Sequence, residues 1–206
     1  MTEDFERPDE KVLYSGPGYE IVQLVVASSA VPYRAEPRGD GSQNHGFLDL
    51  RDRPDLVVEV PEAARSASLI RLLQVVNAPN SPFMSVGCEC GFFANSQPDH
   101  KAAGYVGSYV GVAFRDSDRN SDPKQLVALA RTILSGMAPS PYSFWFRLEV
   151  EPLNAFFGRM DCHELVIRCF GSGYDEPLAW KAFSASALAV ADAFEQIIFG
   201  EDGTVV

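Results

Sequence analysis

The sequence is poor in histidine, cysteine and positive charge, and each shortage argues against a class of protein. Three histidines in 206 residues leave few candidates for a metal site or a catalytic base. Four cysteines are too few for a disulfide scaffold at this length. The 17 Lys and Arg are outnumbered by 28 Asp and Glu, which gives a formal net charge of −11. Such a charge repels phosphate backbones and anionic lipid, so direct nucleic-acid binding is disfavoured.

Long apolar runs are also missing. No stretch of about 18 apolar residues is present to span a bilayer. The first eleven residues are polar and acidic and lack the apolar segment of a secretory signal. These absences predict a cytoplasmic protein. An apolar content of 46% is nevertheless enough for a sizeable core and argues against general disorder.

The apolar pattern recurs three times as two strand-like segments followed by a helix-like one. This recurrence predicts a single α+β domain over 18–200, with a mostly antiparallel sheet and two or three helices packed on one face. Its three candidate ββα units are 18–78, 82–137 and 141–200. The sequence also predicts a flexible N-terminal leader over 1–17 and a C-terminal tail over 201–206.

Turn and capping residues set the boundaries of the individual elements. Pro61 and Pro123 suit the first turn of a helix, and Gly200 suits a helix end. Helices are predicted over 61–77, 123–136 and 183–199. Strands are predicted over 19–27, 31–36, 55–60, 83–93, 105–114, 142–153 and 163–170.

Alternation along the predicted strands sorts their residues onto two faces. In the 83–93 strand the apolar set, which we expect beneath the helices, is Met84, Val86, Cys88, Cys90 and Phe92. The opposite set holds small residues around one carboxylate, and it is Ser85, Gly87, Glu89 and Gly91. The next strand likewise divides an apolar set from a set of Tyr and Gly. One face of the sheet is therefore predicted to remain free of helices.

The helix-free face carries the candidate binding residues. Trp, Tyr and Arg are enriched at binding hot spots, and carboxylates complement a basic partner. The predicted binding set is Glu89, Tyr105, Tyr109, Trp145, Arg147, Glu149, Glu151, Arg168 and Phe170. The alternative is that cross-strand aromatic pairs and Arg–Glu pairs only stabilise an exposed sheet face.

Residues that could hold a metal do not form a convincing cluster. Cys88 and Cys90 are spaced as C-x-C inside an apolar strand, whereas zinc sites prefer C-x₂₋₄-C in turns. The DSDRNSD loop from Asp116 to Asp122 places carboxylates at alternate positions, as an EF-hand loop does. Ser121 and Val127 stand where that motif needs Gly and Glu, so a solvated loop is favoured over a divalent-cation site. No metal and no cofactor are predicted.

No catalytic motif is present either. The sequence contains no G-x-S-x-G element, and Gly104, Gly107 and Gly111 lie in a strand pattern, where they cannot cradle a phosphate. The chain is therefore predicted not to be an enzyme. The glycines of the helix-free face predict a shallow trough. The open alternative is an enzyme or small-ligand binder that uses this trough, with Glu89 as the acid or base and Arg147 or Arg168 binding an anion.

These observations favour an acidic intracellular module that captures a basic protein partner. The most concrete form is a bacterial immunity-type inhibitor that neutralises a toxin or secreted effector. A further alternative is a structural or assembly subunit whose outer face is buried in an oligomer. The sequence predicts neither nucleic acid nor membrane as a partner.

Overall fold

The computed structural model describes residues 9–37, 39, 43–95, 102–137 and 144–200. The strands are β1 (Glu10–Gly16), β2 (Tyr19–Leu24), β3 (Glu36–Pro37), β4 (Gln43–Asn44), β5 (Phe83–Ala94), β6 (Gly104–Phe114), β7 (Phe144–Pro152) and β8 (His163–Gly173). The α-helices are α1 (Ala67–Val76), α2 (Ser117–Asn120), α3 (Pro123–Gly136) and α4 (Glu176–Phe199). The predicted tail, 201–206, lies outside the described residues.

Six strands form one sheet in the order β1-β2-β7-β8-β6-β5. Every neighbouring pair is antiparallel except β2 and β7, which run parallel. Three antiparallel pairs, β1–β2, β5–β6 and β7–β8, are each followed by a helix. The prediction of an α+β fold with a mostly antiparallel sheet is therefore confirmed.

The main core lies between one face of the sheet and the helices. Helix α4 packs on β8 and β6 and contacts both α1 and α3. Large side chains that this layer buries completely include Phe83, Leu126, Leu148, Phe183 and Phe194. Alternate apolar residues of β6, β7 and β8 lie in this core, among them Val110, Val150 and Ile167. Strand alternation thus places the helix layer correctly on the sheet.

Side-chain caps explain where the helices begin. Ser66 accepts from the Leu69 amide, Asp122 from the Lys124 amide and Asp175 from the Leu178 amide. Each cap satisfies a donor that has no partner within its helix. The cap at Asp175 starts α4 seven residues earlier than predicted, at Glu176 instead of 183.

The predicted leader is wrong for residues 10–16, which form β1. This strand pairs with β2 through a short turn at Pro17 and Gly18, where Gly18 has a φ of +84° that favours glycine. The strand is an edge strand, and most of its residues are exposed or half-buried. Its apolar residues Val12, Leu13 and Tyr14 are consecutive, so the alternation that predicts the other strands is absent.

Two predicted strands in the first unit are also wrong. The 55–60 segment is a 3₁₀ helix, Pro54–Glu59, and within it only Val57 is buried while Val58 is 71% exposed. The 31–36 segment is not a continuous strand: it contributes an isolated bridge at Val31 and, with its last residue Glu36, the start of the two-residue strand β3. Prolines at positions 32, 54 and 61 remove ladder donors from this region, which accounts for both differences.

A β-bulge between Ser85 and Gly87 reverses the faces at the start of β5. The buried Asn77 side chain holds it, because Oδ1 accepts from the Ser85 amide (3.0 Å) and Nδ2 donates to the Ser85 hydroxyl (2.9 Å). The extra residue turns the side chains before the bulge over. Met84 and Val86, which were predicted beneath the helices, therefore lie on the opposite face, whereas Cys88, Cys90 and Phe92 pack on the helix side as predicted.

The expectation that no stretch is apolar enough to span a bilayer is corrected by α4, which by length and composition could cross a membrane. The core helix of a globular domain has the same properties, and nine residues of α4 are buried in the layer described above. Its composition is accounted for by this packing.

Candidate functional site: the helix-free face of the sheet

Four aromatic rings, which we call the aromatic band, cross the helix-free face. The four strands β5, β6, β8 and β7 supply Phe93, Tyr105, Phe170 and Trp145 respectively. Ring centroids are 5.2 Å apart for Phe93–Tyr105, 6.1 Å for Tyr105–Phe170 and 5.3 Å for Trp145–Phe170. Aromatic pairs attract at these separations. Phe93, Tyr105 and Trp145 remain 49%, 43% and 37% exposed, so the band offers an apolar surface to solvent.

Glycines beneath the band let the rings lie close to the sheet. A Cβ at Gly107 would stand 3.4 Å from the Phe170 ring and 3.5 Å from the Phe93 ring. The result is a shallow trough of about 240 Å³ between the rings, and Glu89 and Tyr109 also line it. The trough predicted from the glycine pattern is present on this face.

Arg147 is the centre of an ion-pair network next to the band. Its guanidinium donates to Glu149 on its own strand, to Glu20 on β2 and to Glu10 on β1. The Arg147 side chain is 17% exposed and that of Glu149 only 6%. One half-buried cation therefore joins three carboxylates from three adjacent strands, and it links the β1–β2 pair to the rest of the sheet.

Arg168 extends this network toward the middle of the face. Its Nε donates to Glu149 at 2.6 Å, and its guanidinium carbon lies 5.6 Å from the centre of the Tyr109 ring. Burial raises the pKa of Glu149, but the Arg168 charge and the hydrogen bonds from neighbouring side chains outweigh it, so that the pKa lies below its usual range. Glu149 is therefore ionised and fully engaged.

The far end of the face is covered by residues 28–33 and by the loop after β7. The Ser28 amide donates to the Pro152 carbonyl and the Val31 amide donates to the Ala155 carbonyl, both at 2.8 Å. Beneath this cover lies a second apolar cluster, formed by Val31, Met84, Val86, Ala113, Leu153, Phe156 and Cys162. The bulge in β5 supplies two of its members, so it helps to build this cover.

Between the cover and the aromatic band lies a cavity of about 420 Å³, which we call the acidic cavity. Its charged and aromatic lining residues are Tyr33, Glu62, Tyr109, Glu151, Glu164 and Arg168. Glu151 and Glu164 are cross-strand partners on β7 and β8 and are 9% and 8% exposed. The cavity has the size of a small-ligand site.

Burial changes the acidity of both carboxyls. It raises the pKa of Glu164 to about 7, against the opposing effects of a hydrogen bond from Ser28 and the Arg168 charge. It raises the pKa of Glu151 to about 8, together with a hydrogen bond to Glu149 and the charges of Glu164 and Glu149. Perturbed carboxyls in a cleft are typical of functional sites.

These pKa values predict that the folded protein loses stability as the pH rises. Between about pH 4.5 and pH 8 the folded state holds protons on Glu151 and Glu164 that the unfolded state has released, so the free energy of unfolding falls with pH. Glu164→Gln lacks one of these carboxyls. Its free energy of unfolding relative to that of the wild type should therefore be roughly 1–3 kcal/mol more favourable at pH 8.5 than at pH 5.5. Urea unfolding at both pH values measures this gain. The exposed Glu59→Gln variant is the control, and an identical pH dependence in Glu164→Gln and wild type would contradict the prediction.

The structure brings the nine predicted binding residues onto one face but gives them different surroundings. Tyr105, Trp145 and Phe170 belong to the band, and Glu89 and Tyr109 line the trough. The remaining four, Arg147, Glu149, Glu151 and Arg168, form the ion-pair network.

Several residues of this face were missed. Phe93 shares the alternation of Glu89 and Gly91, so its place in the band was readable from the strand pattern. Tyr33 and Ser28 come from an irregular segment whose docking has no sequence signature. Glu10 lies in the misassigned leader. The missed residues are thus mostly those outside regular strands.

The other candidate sites do not assemble. Within the described ranges no three His, Cys, Asp or Glu side chains are grouped to hold a metal ion. In the DSDRNSD loop Asp116 and Asp122 cap α2 and α3, and Asp118 pairs with Arg159. The buried Asn120 side chain accepts a hydrogen bond from the Phe114 amide and donates one to the Phe114 carbonyl. The loop is a structural connection between β6 and α3.

Comparison of the chain with protein-family models, curated proteins and solved structures gives no match. The fold and the site define an α+β protein whose open sheet face joins an aromatic band to an acidic cavity.

Proposed function

We propose that this chain is an acidic binding module that captures a basic protein partner on the helix-free face of its sheet. The observation that carries this proposal is the aromatic band lying directly beside the acidic cavity, with Tyr109 and Arg168 lining both the cavity and the trough. An exposed apolar surface next to a negative recess is complementary to a partner that offers apolar and cationic side chains together.

The band has the composition of a hot spot. Trp145 and Tyr105 are large, are partly exposed and are held in place by ring contacts, so that binding costs little side-chain entropy. The network behind them fixes the strands on which they stand. We therefore assign Trp145, Tyr105 and Phe93 as anchors, with Glu89 at the edge of the trough.

The net charge supports the choice of partner. With a formal charge of −11 the chain attracts basic proteins over distances comparable to the Debye length, which accelerates association. Proteins that act on nucleic acids carry basic surfaces, and an inhibitor of such a protein is expected to be acidic. A cytoplasmic immunity-type inhibitor of a basic bacterial toxin or effector is the concrete form that we propose.

The replacement of Trp145 tests this assignment. A partner is first captured from a lysate of the source organism with the wild-type chain, identified, and purified. Titration calorimetry with that partner is expected to give about 30-fold weaker binding for Trp145→Ala, because truncation of a hot-spot aromatic costs about 2 kcal/mol or more. Binding should also weaken with added salt.

Tyr14→Ala is the matched control, since Tyr14 is an aromatic residue that is 43% exposed and lies against Arg131 of α3, on the helix side of the sheet. It should bind as the wild type does. A partner that is acidic, or one that binds Trp145→Ala with unchanged affinity, would remove the proposed face.

The paired carboxyls of the acidic cavity favour a second candidate, a small-ligand binder or enzyme. Here the acid–base pair would be Glu151 and Glu164 and not Glu89, because only these two are buried against each other in a cavity. Arg147 could not grip an anion in either case, since three carboxylates already occupy its guanidinium.

A further inference from the structure

The two edges of the sheet are protected to different degrees. Strand β1 forms one edge and carries a bulge between Val12 and Tyr14, together with the charged residues Glu10 and Lys11. Bulges and charges of this kind keep an edge strand from pairing with another chain. Strand β5 forms the other edge, and its last part, 89–94, has the sequence ECGFFA, with one charged residue and neither Pro nor Lys. The bulge in β5 lies before this part, so the end of β5 lacks the protection that β1 has.

The backbone at the end of β5 has unpaired hydrogen-bonding groups along this edge. The Asn95 amide donates to the Ala103 carbonyl at 2.8 Å, which continues the β5–β6 ladder. Because ladder hydrogen bonds alternate along an antiparallel strand, every second residue counted back from Asn95 faces β6. The amides and carbonyls that face outward are therefore those of Cys90, Phe92 and Ala94. No residue in the described ranges forms a hydrogen bond with these outward groups.

Neighbouring segments flank this edge at Gly87 and Cys88. A Cβ on Gly87 would stand 3.2 Å from the Tyr33 hydroxyl, and Tyr33 and Glu62 line the acidic cavity together with Gly87 and Cys88. Beyond these residues burial decreases along β5, and Phe93 near its end is 49% exposed. The open part of the edge is therefore the end of the strand.

We propose that two copies of this chain pair through the ends of their β5 strands, antiparallel, about a two-fold axis at Phe92. The outward groups of Phe92 then bond those of the same residue in the second copy, and those of Cys90 bond those of Ala94. Each such pair exchanges two hydrogen bonds. Pairing of this kind uses the same edge on both copies and closes on itself, so it gives a dimer and not a fibre. It is independent of the capture of a basic partner.

The side chains are complementary in this register. An axis at Phe92 places Gly91 opposite Phe93 of the second copy, so each ring lies beside a position that has no side chain. Glu89, the one charged residue of the segment, comes opposite Asn95 of the second copy, so no like charges are opposed. Phe93 ends the aromatic band, and the bands of the two copies therefore meet at the axis.

Other registers of the same pairing fit less well. An axis at Cys90 would place Phe93 of the second copy beside Gly87, where the Tyr33 hydroxyl already lies. An axis at Gly91 would set the two glycines opposite each other and leave no side chain to pack between the copies there. The flanking residues and the glycine position thus select the axis at Phe92.

The charges favour a second copy over a basic segment as the occupant of this edge. Glu89 is the one carboxylate of 89–94 that could complement basic side chains, whereas apolar residues supply most of the pairing surface. Each copy has a formal charge of −11, so two copies repel each other at long range, and added salt screens this repulsion. Self-association should therefore strengthen with salt, whereas capture of a basic partner should weaken.

Sedimentation velocity of the full chain with a reductant present, over a roughly hundredfold range of protein concentration, tests the pairing. We expect a monomer–dimer equilibrium that shifts toward the dimer as NaCl rises from about 0.05 M to about 0.5 M. Cys90→Pro removes one outward amide from each copy and no β5–β6 hydrogen bond, so it should keep the fold and weaken the dimer at least about tenfold. Cys90→Ala keeps the amide, and as the matched control it should dimerise as the wild type does.

Amide hydrogen exchange of the wild type gives a second measurement that needs no variant. The amides of Cys90, Phe92 and Ala94 should exchange more slowly as the dimer fraction rises, whereas those of β1 should not change. A chain that stays monomeric over the whole range, a dimer with these amides unprotected, or unchanged dimerisation of a folded Cys90→Pro would overturn the proposal. Protection that appears only after addition of the purified basic partner would also overturn it, since the edge would then receive a segment of that partner.

Discussion

Replacement of Arg147 by methionine is expected to lower the free energy of unfolding by about 2–3 kcal/mol, because removal of the shared cation from a partly buried network leaves carboxylates unpaired while solvent screens part of their charge. Glu10, Glu20 and Glu149 would then face one another without their shared cation, although Glu149 would keep its ion pair with Arg168. Methionine keeps much of the side-chain volume, so the loss reports on charge more than on packing. Chemical unfolding at neutral pH measures it.

The pH dependence of this loss distinguishes charge from shape. The carboxylates that lose Arg147 can take up protons at low pH, so the destabilisation should become smaller as the pH falls from 8 to 5. The control is Arg71→Met, which breaks the exposed pair with Glu195 and should cost no more than about 1 kcal/mol. A cost for Arg147→Met as small as that of Arg71→Met would contradict the role given to the network.

Substitution of Gly171 by alanine should destabilise the protein by about 3 kcal/mol or more, the upper part of the range for overpacked cores. At this position on β8 the α4 backbone crosses directly over the strand. A Cβ at Gly171 would collide with the backbone of Ala182 and Phe183, which cannot rotate away as a side chain could. To relieve the contact, α4 would have to move away from the sheet, and its contacts with Gly171, β6 and α1 would loosen together.

Gly91→Ala is the matched control for this variant, since Gly91 also lies within a strand of the same sheet. A Cβ there would meet only the Phe93 ring, at 3.9 Å, which is an ordinary contact. This variant should be neutral or slightly stabilising, because alanine restricts the unfolded chain. Thermal unfolding of the two variants gives the comparison. Equal midpoints would contradict the prediction and show that α4 can move away from the sheet at little energetic cost.

Alternation was sufficient for the strands that are buried on one face. Along β6 and β8 the apolar residues repeat every second position, so both the strands and their inward side chains could be predicted. In the first part of the chain this was sufficient for β2 but not for its neighbours. There β1 is an edge strand with little to bury, and the segment before α1 is held by prolines and 3₁₀ turns that resemble a strand in composition.

The candidate site also divides into residues that strand alternation predicts and residues that it does not. The face shared by Tyr105, Trp145 and Phe170 follows from counting positions along strands. The acidic cavity cannot be predicted by such counting. Part of its cover is the irregular segment around Ser28 and Tyr33, and the bulge at Ser85 depends on the side chain of Asn77, eight residues earlier. Burial of Glu151 and Glu164 depends on that cover, so the raised pKa values of these two carboxyls have no signature in the local sequence.

The strand order has a consequence for how the chain reaches its fold. The third strand pair, β7–β8, occupies the centre of the sheet, with the first pair on one side and the second on the other. The first two pairs therefore share no ladder, and β2 must wait for β7, where Glu20 meets Arg147. Contacts between such distant residues slow folding. During synthesis the first two units are completed while the strand edges that will receive β7 and β8 are still unpaired, and such edges are prone to aggregation.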